Sequence, residues 1–76
     1  MVTKYIIEMD HQPAIGALIA YYYEGQNRNG ESCFHTNQQK AKRYSLEHEA
    51  QRDMSILKVM HPYADSFKLV PIRCRA

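Results

Sequence analysis

Apolar and polar residues alternate with a period of two at both ends of this chain and with a helical period in its middle. Thr3 to Met9 sets Tyr5, Ile7 and Met9 against Lys4, Ile6 and Glu8. That is the pattern of a strand with one buried face and Ile6 partly covered on the other. Asp10-His11-Gln12-Pro13 is expected to break it, because proline cannot donate to a ladder and the polar cluster is turn-like. Ala14 to Glu24 admits two readings. Ile15, Leu18, Ile19 and Tyr22 fit a helical stripe, whereas Gly16 weakens a helix and three consecutive tyrosines favour a strand. The neighbouring residues favour a strand from about Ala17 to Glu24. Gly25 to Gly30 is a polar loop bracketed by glycines, and it leads into a second short run, Glu31 to His35, so the two read as a hairpin.

The most regular stretch is Ser45 to His61, where Leu46, Ala50, Met54, Leu57 and Met60 recur at intervals of four, four, three and three. This predicts one narrow apolar stripe on a helix, with Glu47, Glu49, Gln51, Arg52, Asp53 and Lys58 facing elsewhere. Ser45 is the expected cap, Glu47 and Glu49 sit where the helix dipole favours carboxylates, and His61-Pro62 closes the helix. Thr36 to Gln39 is a second cap-like stretch. It permits either a short turn before the main helix or one helix from about Gln38 to Met60, and the Ser45 cap favours the break. Ser66 to Cys74 returns to alternation, with Pro71 confined to a free edge, a bulge or a strand end. The order is therefore β-β-β-α-β in a single domain over residues 1–76. The expected fold is α+β, a small antiparallel sheet with the amphipathic helix packed on one face.

Size limits what such a domain can do. A 76-residue chain buries only about 60–65% of its unfolded surface, so its core is thin and a partner or oligomerisation is a natural supplement. Cys33 and Cys74 are expected to be free thiols of an intracellular, cytoplasmic protein, since no secretory signal is evident. No run approaches the ~20 apolar residues that cross a bilayer, so no membrane association is expected.

The residue types that carry chemistry do not converge in the sequence. Cys33 and His35 share a strand face, but His48 and His61 are more than three helical turns apart and cannot approach one ion. No metal and no cofactor is therefore expected. Cys33 beside His35 is not the spatial pairing a thiol nucleophile needs, Glu47 and Glu49 point apart on a helix, and no glycine-rich phosphate loop exists. The chain is expected not to be an enzyme.

Binding explains more of the composition. The formal charge of +2 is slight, but Lys40, Lys42 and Arg43 cluster before the helix, and Arg73 and Arg75 lie near the end of the chain. Together with exposed tyrosines, these five could contact nucleic acid, although a pI of 8.6 is below the value of about 9 that marks an electrostatic footprint. Six tyrosines and no tryptophan suit a protein interface instead. In the hairpin, Tyr22 faces opposite to Tyr21 and Tyr23, so one set covers the helix and the other stays outside. Tyr21, Tyr23 and Arg28 are the expected partner-binding residues. Self-association as a homodimer through the outer face is the alternative.

The segments KYIIEM, YYYEG, ESCFHT, AKRYSLEHEA and FKLVPI together resemble small phage and mobile-element accessory proteins. In these, a strand or hairpin is followed by a helix beginning near a segment of the A-K-x-[FY]-S and E-A kind, and a last strand closes the sheet. Ala41, Lys42, Tyr44, Ser45, Glu49 and Ala50 are the matching positions, and the likeness covers most of the chain. Some proteins of this size class, anti-CRISPR proteins among them, bind and obstruct host machinery. The resemblance implies a binding role, as an inhibitor of a host complex, and carries no functional residue with it.

Overall fold

The structure, a computed structural model, describes residues 1–14 and 16–75. Strands β1 (Val2–Ala14), β2 (Ala17–Gln26) and β3 (Ser32–His35) precede a 3-10 turn at Gln38–Lys40, helix α1 (Glu47–Met60) and strand β4 (Ser66–Cys74). All strand pairs are antiparallel, in the spatial order β3-β2-β1-β4. Strand β4 thus returns beside β1 rather than beside β3, a Greek-key connection with α1 inside its long crossover. The chain order and the α+β class match the expectation from the sequence. The Ala17–Glu24 run is a strand, extended to Gln26; Ile15, which begins the competing helical stripe, lies outside the described residues.

Strand β1 does not break at Asp10–Pro13, as its composition predicts, but continues to Ala14. The polar residues there find partners that keep the chain extended. The Gln12 N–H donates to Asp65 Oδ2 at 2.7 Å, the Asp65 N–H donates to the Asp10 carbonyl at 2.9 Å, and Ser66 Oγ lies 3.2 Å from Asp10 Oδ2. The β1–β2 register shifts between His11 and Ala14, so Pro13 falls in an irregularity where a missing donor breaks no ladder bond. A second shift, between Tyr23 and Gly25, uses Gly25 at φ +123°, a conformation side-chain-bearing residues avoid.

Of two expected helix features, the break before the main helix holds and the Ser45 cap is corrected. The 3-10 turn is a separate element, capped by Asn37, whose side chain accepts the Gln39 N–H at 3.0 Å. Helix α1 begins at Glu47, with Leu46 as a cap residue that makes no side-chain capping bond. Ser45 is not the cap, because its hydroxyl accepts from Lys4 Nζ at 2.8 Å. Between these elements the chain is extended. Tyr44 exchanges both backbone hydrogen bonds with Tyr5 at 2.8 Å, and the Lys42 N–H bonds the Tyr23 carbonyl at 2.8 Å, so this segment wedges between β1 and β2 where they splay. Tyr5 therefore points its polar backbone away from β4, and its β4 partner Pro71 points its missing N–H outward. The free edge is where a strand tolerates proline, and proline there discourages edge-to-edge pairing.

The core lies between one sheet face and α1. Ile7, Tyr23, Tyr44, Ala50 and Leu57 are buried together, with Tyr5, Phe34, Met54, Phe67 and Leu69 packed around them. Each large aliphatic side chain buried there contributes roughly 1.5–3 kcal/mol. The two ends of the predicted stripe are not core: Leu46 and Met60 are each 49% exposed. Ile6 is fully buried on the opposite sheet face, across from Val70. Cys33 and Cys74 lie on the two outermost strands, three strand spacings or roughly 14 Å apart, too far for a disulfide, and both are free.

Candidate functional site

Helix α1 carries a second apolar stripe that the sheet does not cover. Ile56, Val59 and Met60 stand three and four residues apart, hence side by side, and are 52%, 82% and 49% exposed. They lie on one flank of the helix only. The other flank carries Glu47, Gln51, Ser55 and Lys58, all polar and exposed. Just past the helix, Tyr63 is also exposed, and it is held in place: its hydroxyl lies 2.8 Å from His61 Nδ1, and its ring meets those of His61 and His11 edge-on.

Beside this stripe a cleft of about 230 Å³ opens between α1, the end of β2, the start of β3 and the Lys42 segment. Ile56, Leu57 and Met60 form its apolar wall; Tyr23, Gln26, Ser32, Lys42 and Asp53 supply polar groups. Small-molecule pockets occupy about 300–1,000 Å³, so the volume suits one inserted side chain better than a cofactor. The polar groups are ordered by Asp53. Its Oδ2 accepts the Tyr44 hydroxyl at 2.7 Å and faces Lys42 Nζ at 3.9 Å, while Lys42 also lies 5.0 Å from the centre of the Tyr44 ring. Ser32 Oγ is buried and has no hydrogen-bond partner among the described residues.

Burial, followed by the hydrogen bond to Asp53 and its charge, pushes the Tyr44 phenol far above the usual tyrosine value. Burial, with Asp53 and then Cys33 adding to it, also raises Tyr23. Both phenols are therefore protonated at neutral pH. What the cleft presents is one cation and one carboxylate, Lys42 and Asp53, with hydroxyl and amide groups and an apolar wall, which is equipment for holding a side chain.

The residues singled out in the sequence are placed differently from one another. Tyr21 and Tyr23 are not the outer tyrosines. Tyr21 pairs with Met9 and Tyr23 with Phe34, so both face the helix side, and Tyr23 is 5% exposed. Tyr22, opposite Glu8, takes the outer face, where burial and Glu8 raise its phenol. Alternation separates the two sets but cannot say which is inside; the register to Ile7 and Met9 decides it. Arg28 is exposed in the β2–β3 loop and does not line the cleft. Lys40, Lys42 and Arg43 share the segment at the cleft wall. Arg73 pairs with Thr3 at the sheet end that also holds the Tyr5–Tyr44 bridge, bringing Arg43, Arg73 and Arg75 to one end of the molecule. Sequence reasoning missed Ile56 and Val59, although their spacing with Met60 was the available signal.

Among the described residues, no group of three or more His, Cys, Asp or Glu side chains converges as metal ligands would, and no helix is long and apolar enough to cross a membrane. Comparison with protein-family models, curated proteins and solved structures finds no match to this chain.

Proposed function

We propose that this chain is a non-enzymatic protein-binding module that acts inside the cell by covering a surface of a partner complex. The observation that carries the reading is the uncovered Ile56–Val59–Met60 stripe beside a side-chain-sized cleft. A side-chain-sized cleft flanked by exposed aliphatics is the anatomy of an interface centre, where a few anchors supply most of the binding energy. The resemblance to phage and mobile-element accessory proteins narrows the role to an inhibitor that occludes host machinery, in the manner of anti-CRISPR proteins. Expression in a strain with active CRISPR interference tests this directly. Wild-type protein should restore plaquing of a targeted phage, and Val59→Asp should not. Unchanged plaquing across the interference types tried, with the protein present and folded, removes the inhibitor role.

Nucleic-acid binding through Lys40, Lys42, Arg43, Arg73 and Arg75 is the second reading, favoured by Arg43, Arg73 and Arg75 lying toward one end of the sheet. With Tyr21 and Tyr23 turned to the helix side, it rests on phosphate contacts alone. It predicts binding that weakens steeply as salt rises, with a smaller slope in Lys42→Ala/Arg43→Ala. Binding that is flat across a salt titration removes it.

A further inference from the structure

We infer that residues 17–21 of β2 pair edge to edge with the same residues of a second copy of this chain, antiparallel and on a two-fold axis through Ile19. The α1 flank and its cleft play no part in this contact. Strand β3 ends at His35, opposite Tyr22, so it leaves the β2 edge at residues 17–21 unpaired. Backbone direction decides which groups face that gap. Tyr5 exchanges its backbone bonds with Tyr44, on the side away from β4. Met9 and His11, in step with Tyr5 along β1, therefore turn theirs to Tyr21 and Ile19. Leu18 and Ala20, alternating with these, point N–H and C=O outward. The β1–β2 register shift sets Gln12 and Pro13 of β1 against Leu18 alone, so the extra residue lies on β1 and the alternation of β2 is undisturbed. Among the described residues, no backbone hydrogen bond from another element reaches Leu18 or Ala20.

A second copy completes this edge in a single register. With the axis at Ile19, the Leu18 N–H meets the Ala20 carbonyl of the second copy and the Ala20 N–H meets its Leu18 carbonyl. Symmetry repeats both bonds, and every outward group is used. Shape follows the same axis. Leu18, 66% exposed, lies against Ala20, Tyr21 lies against Ala17, and Ile19 meets Ile19, so each large side chain off the axis faces a small one. An axis through Leu18 would send Ala20 against Gly16, outside the strand. One through Ala20 would send Leu18 against Tyr22, whose edge His35 already holds. The edge also lacks the devices that keep strands apart. Residues 17–21 contain no charge and no proline, whereas the edge strand β4 carries Lys68, Pro71 and Arg73, and β3 is only four residues long. Because the axis stands perpendicular to the sheet, both α1 helices lie on one face of the joined sheet.

Sedimentation equilibrium of the full-length protein reads the pairing. So short a contact falls below the roughly 800 Å² per partner that stable complexes bury, so a reversible dimer is expected at tens to hundreds of micromolar. Ala20→Pro removes an N–H that bonds nothing within the chain, and a strand edge tolerates proline. The fold should remain while the dissociation constant rises at least about tenfold, and Leu18→Glu should act in the same direction. Cysteines in a Cys33→Ser/Cys74→Ser background read the register. Ile19→Cys should oxidise to a disulfide-linked dimer, because residues directly opposite at a non-hydrogen-bonded site have Cα atoms about 4.5 Å apart. Leu18→Cys alone should not, but it should cross-link when mixed with Ala20→Cys. A chain that stays monomeric up to about 1 mM overturns the inference, as does a dimer that survives both Ala20→Pro and Leu18→Glu. A dimer dissolved by Val59→Asp but not by Ala20→Pro forms through α1 and overturns it too. If Ala20→Pro unfolds the chain, the cysteines decide: cross-linking of Leu18→Cys alone in preference to Ile19→Cys puts the axis elsewhere.

Discussion

Two sides of α1 are apolar for different reasons. The inner side, Ala50, Met54 and Leu57, meets Ile7, Tyr23 and Tyr44 and closes the core. The flank, Ile56, Val59 and Met60, is left largely uncovered by the described residues. Folding alone explains the first. A 14-residue helix over a four-stranded sheet needs only one apolar stripe, and three large aliphatics turned to solvent add nothing to stability. Exposed contiguous apolar groups beside a cleft are the usual mark of an interaction site. The inner side is therefore about the fold and the flank about the partner, and substitutions should separate them.

The largest effect is expected on the inner side. Leu57 is 3% exposed, so Leu57→Ala should cost ~2–5 kcal/mol, a large share of what so small a domain holds. A thermal or urea melt reads it, and an unchanged midpoint would mean the stripe is not core. The flank is the counter-case. Ile56→Asp and Val59→Asp should each shift stability by no more than about 0.5 kcal/mol while abolishing partner binding. A loss of stability comparable to that of Leu57→Ala would merge the two sides and remove the flank as an interaction surface.

The inner side was readable from the chain because a period near 3.6 is a property of the helix itself. Leu57, Ala50 and Met54 follow from spacing, and Ser66–Cys74 from alternation. The flank was written just as plainly, at Ile56, Val59 and Met60, but Met60 also completes the inner spacing, and one residue cannot report two faces. What spacing does not encode is depth. Leu46 and Met60 fit the stripe yet lie at its exposed ends, where the helix has little sheet beneath it. The same limit hid which tyrosines face inward. Tyr21, Tyr22 and Tyr23 alternate under either assignment, and only pairing to Met9 and Phe34 selects one. Ser45 illustrates a third limit. A local capping pattern yields to a long-range partner, here Lys4, forty-one residues away.

The seam between the two sides is Tyr44–Asp53–Lys42, and it sharpens the comparison. Tyr44→Phe removes a donor from a carboxylate whose side chain is 28% exposed, so a loss of about 1.5–3 kcal/mol is expected from the missing charge-assisted bond. Partner binding should weaken only as far as Lys42, which Asp53 and the Tyr44 ring help to position, becomes disordered. A pH titration addresses the same group. The phenol of Tyr44 is raised in the folded protein, so below the unfolded tyrosine value of about 10 both states are protonated and its contribution is fully present. Above that value the unfolded chain loses its proton first, binds fewer protons than the native state, and is favoured as pH rises. Stability should fall beyond about pH 10, and the fall should be shallower in Tyr44→Phe. An equal slope in the variant would mean that other groups, such as Tyr23, dominate alkaline unfolding.

The smallest effect is expected where the sequence suggested a substantial one. A serine that caps a helix is worth roughly 0.5–2 kcal/mol, so if Ser45 capped α1 its replacement by alanine would be easily seen. In the structure its hydroxyl instead accepts from Lys4 Nζ in an exposed pair, and the first turn of α1 receives no side-chain bond from it. Exposed polar contacts of this kind contribute little, because both groups are hydrated when apart. Ser45→Ala should therefore change the melting midpoint by less than about 0.5 kcal/mol equivalent, and partner binding not at all. A larger loss would return Ser45 to the helix terminus. In that event the start of α1 would be set locally, rather than by the Tyr5–Tyr44 bridge that ties the preceding segment to the sheet.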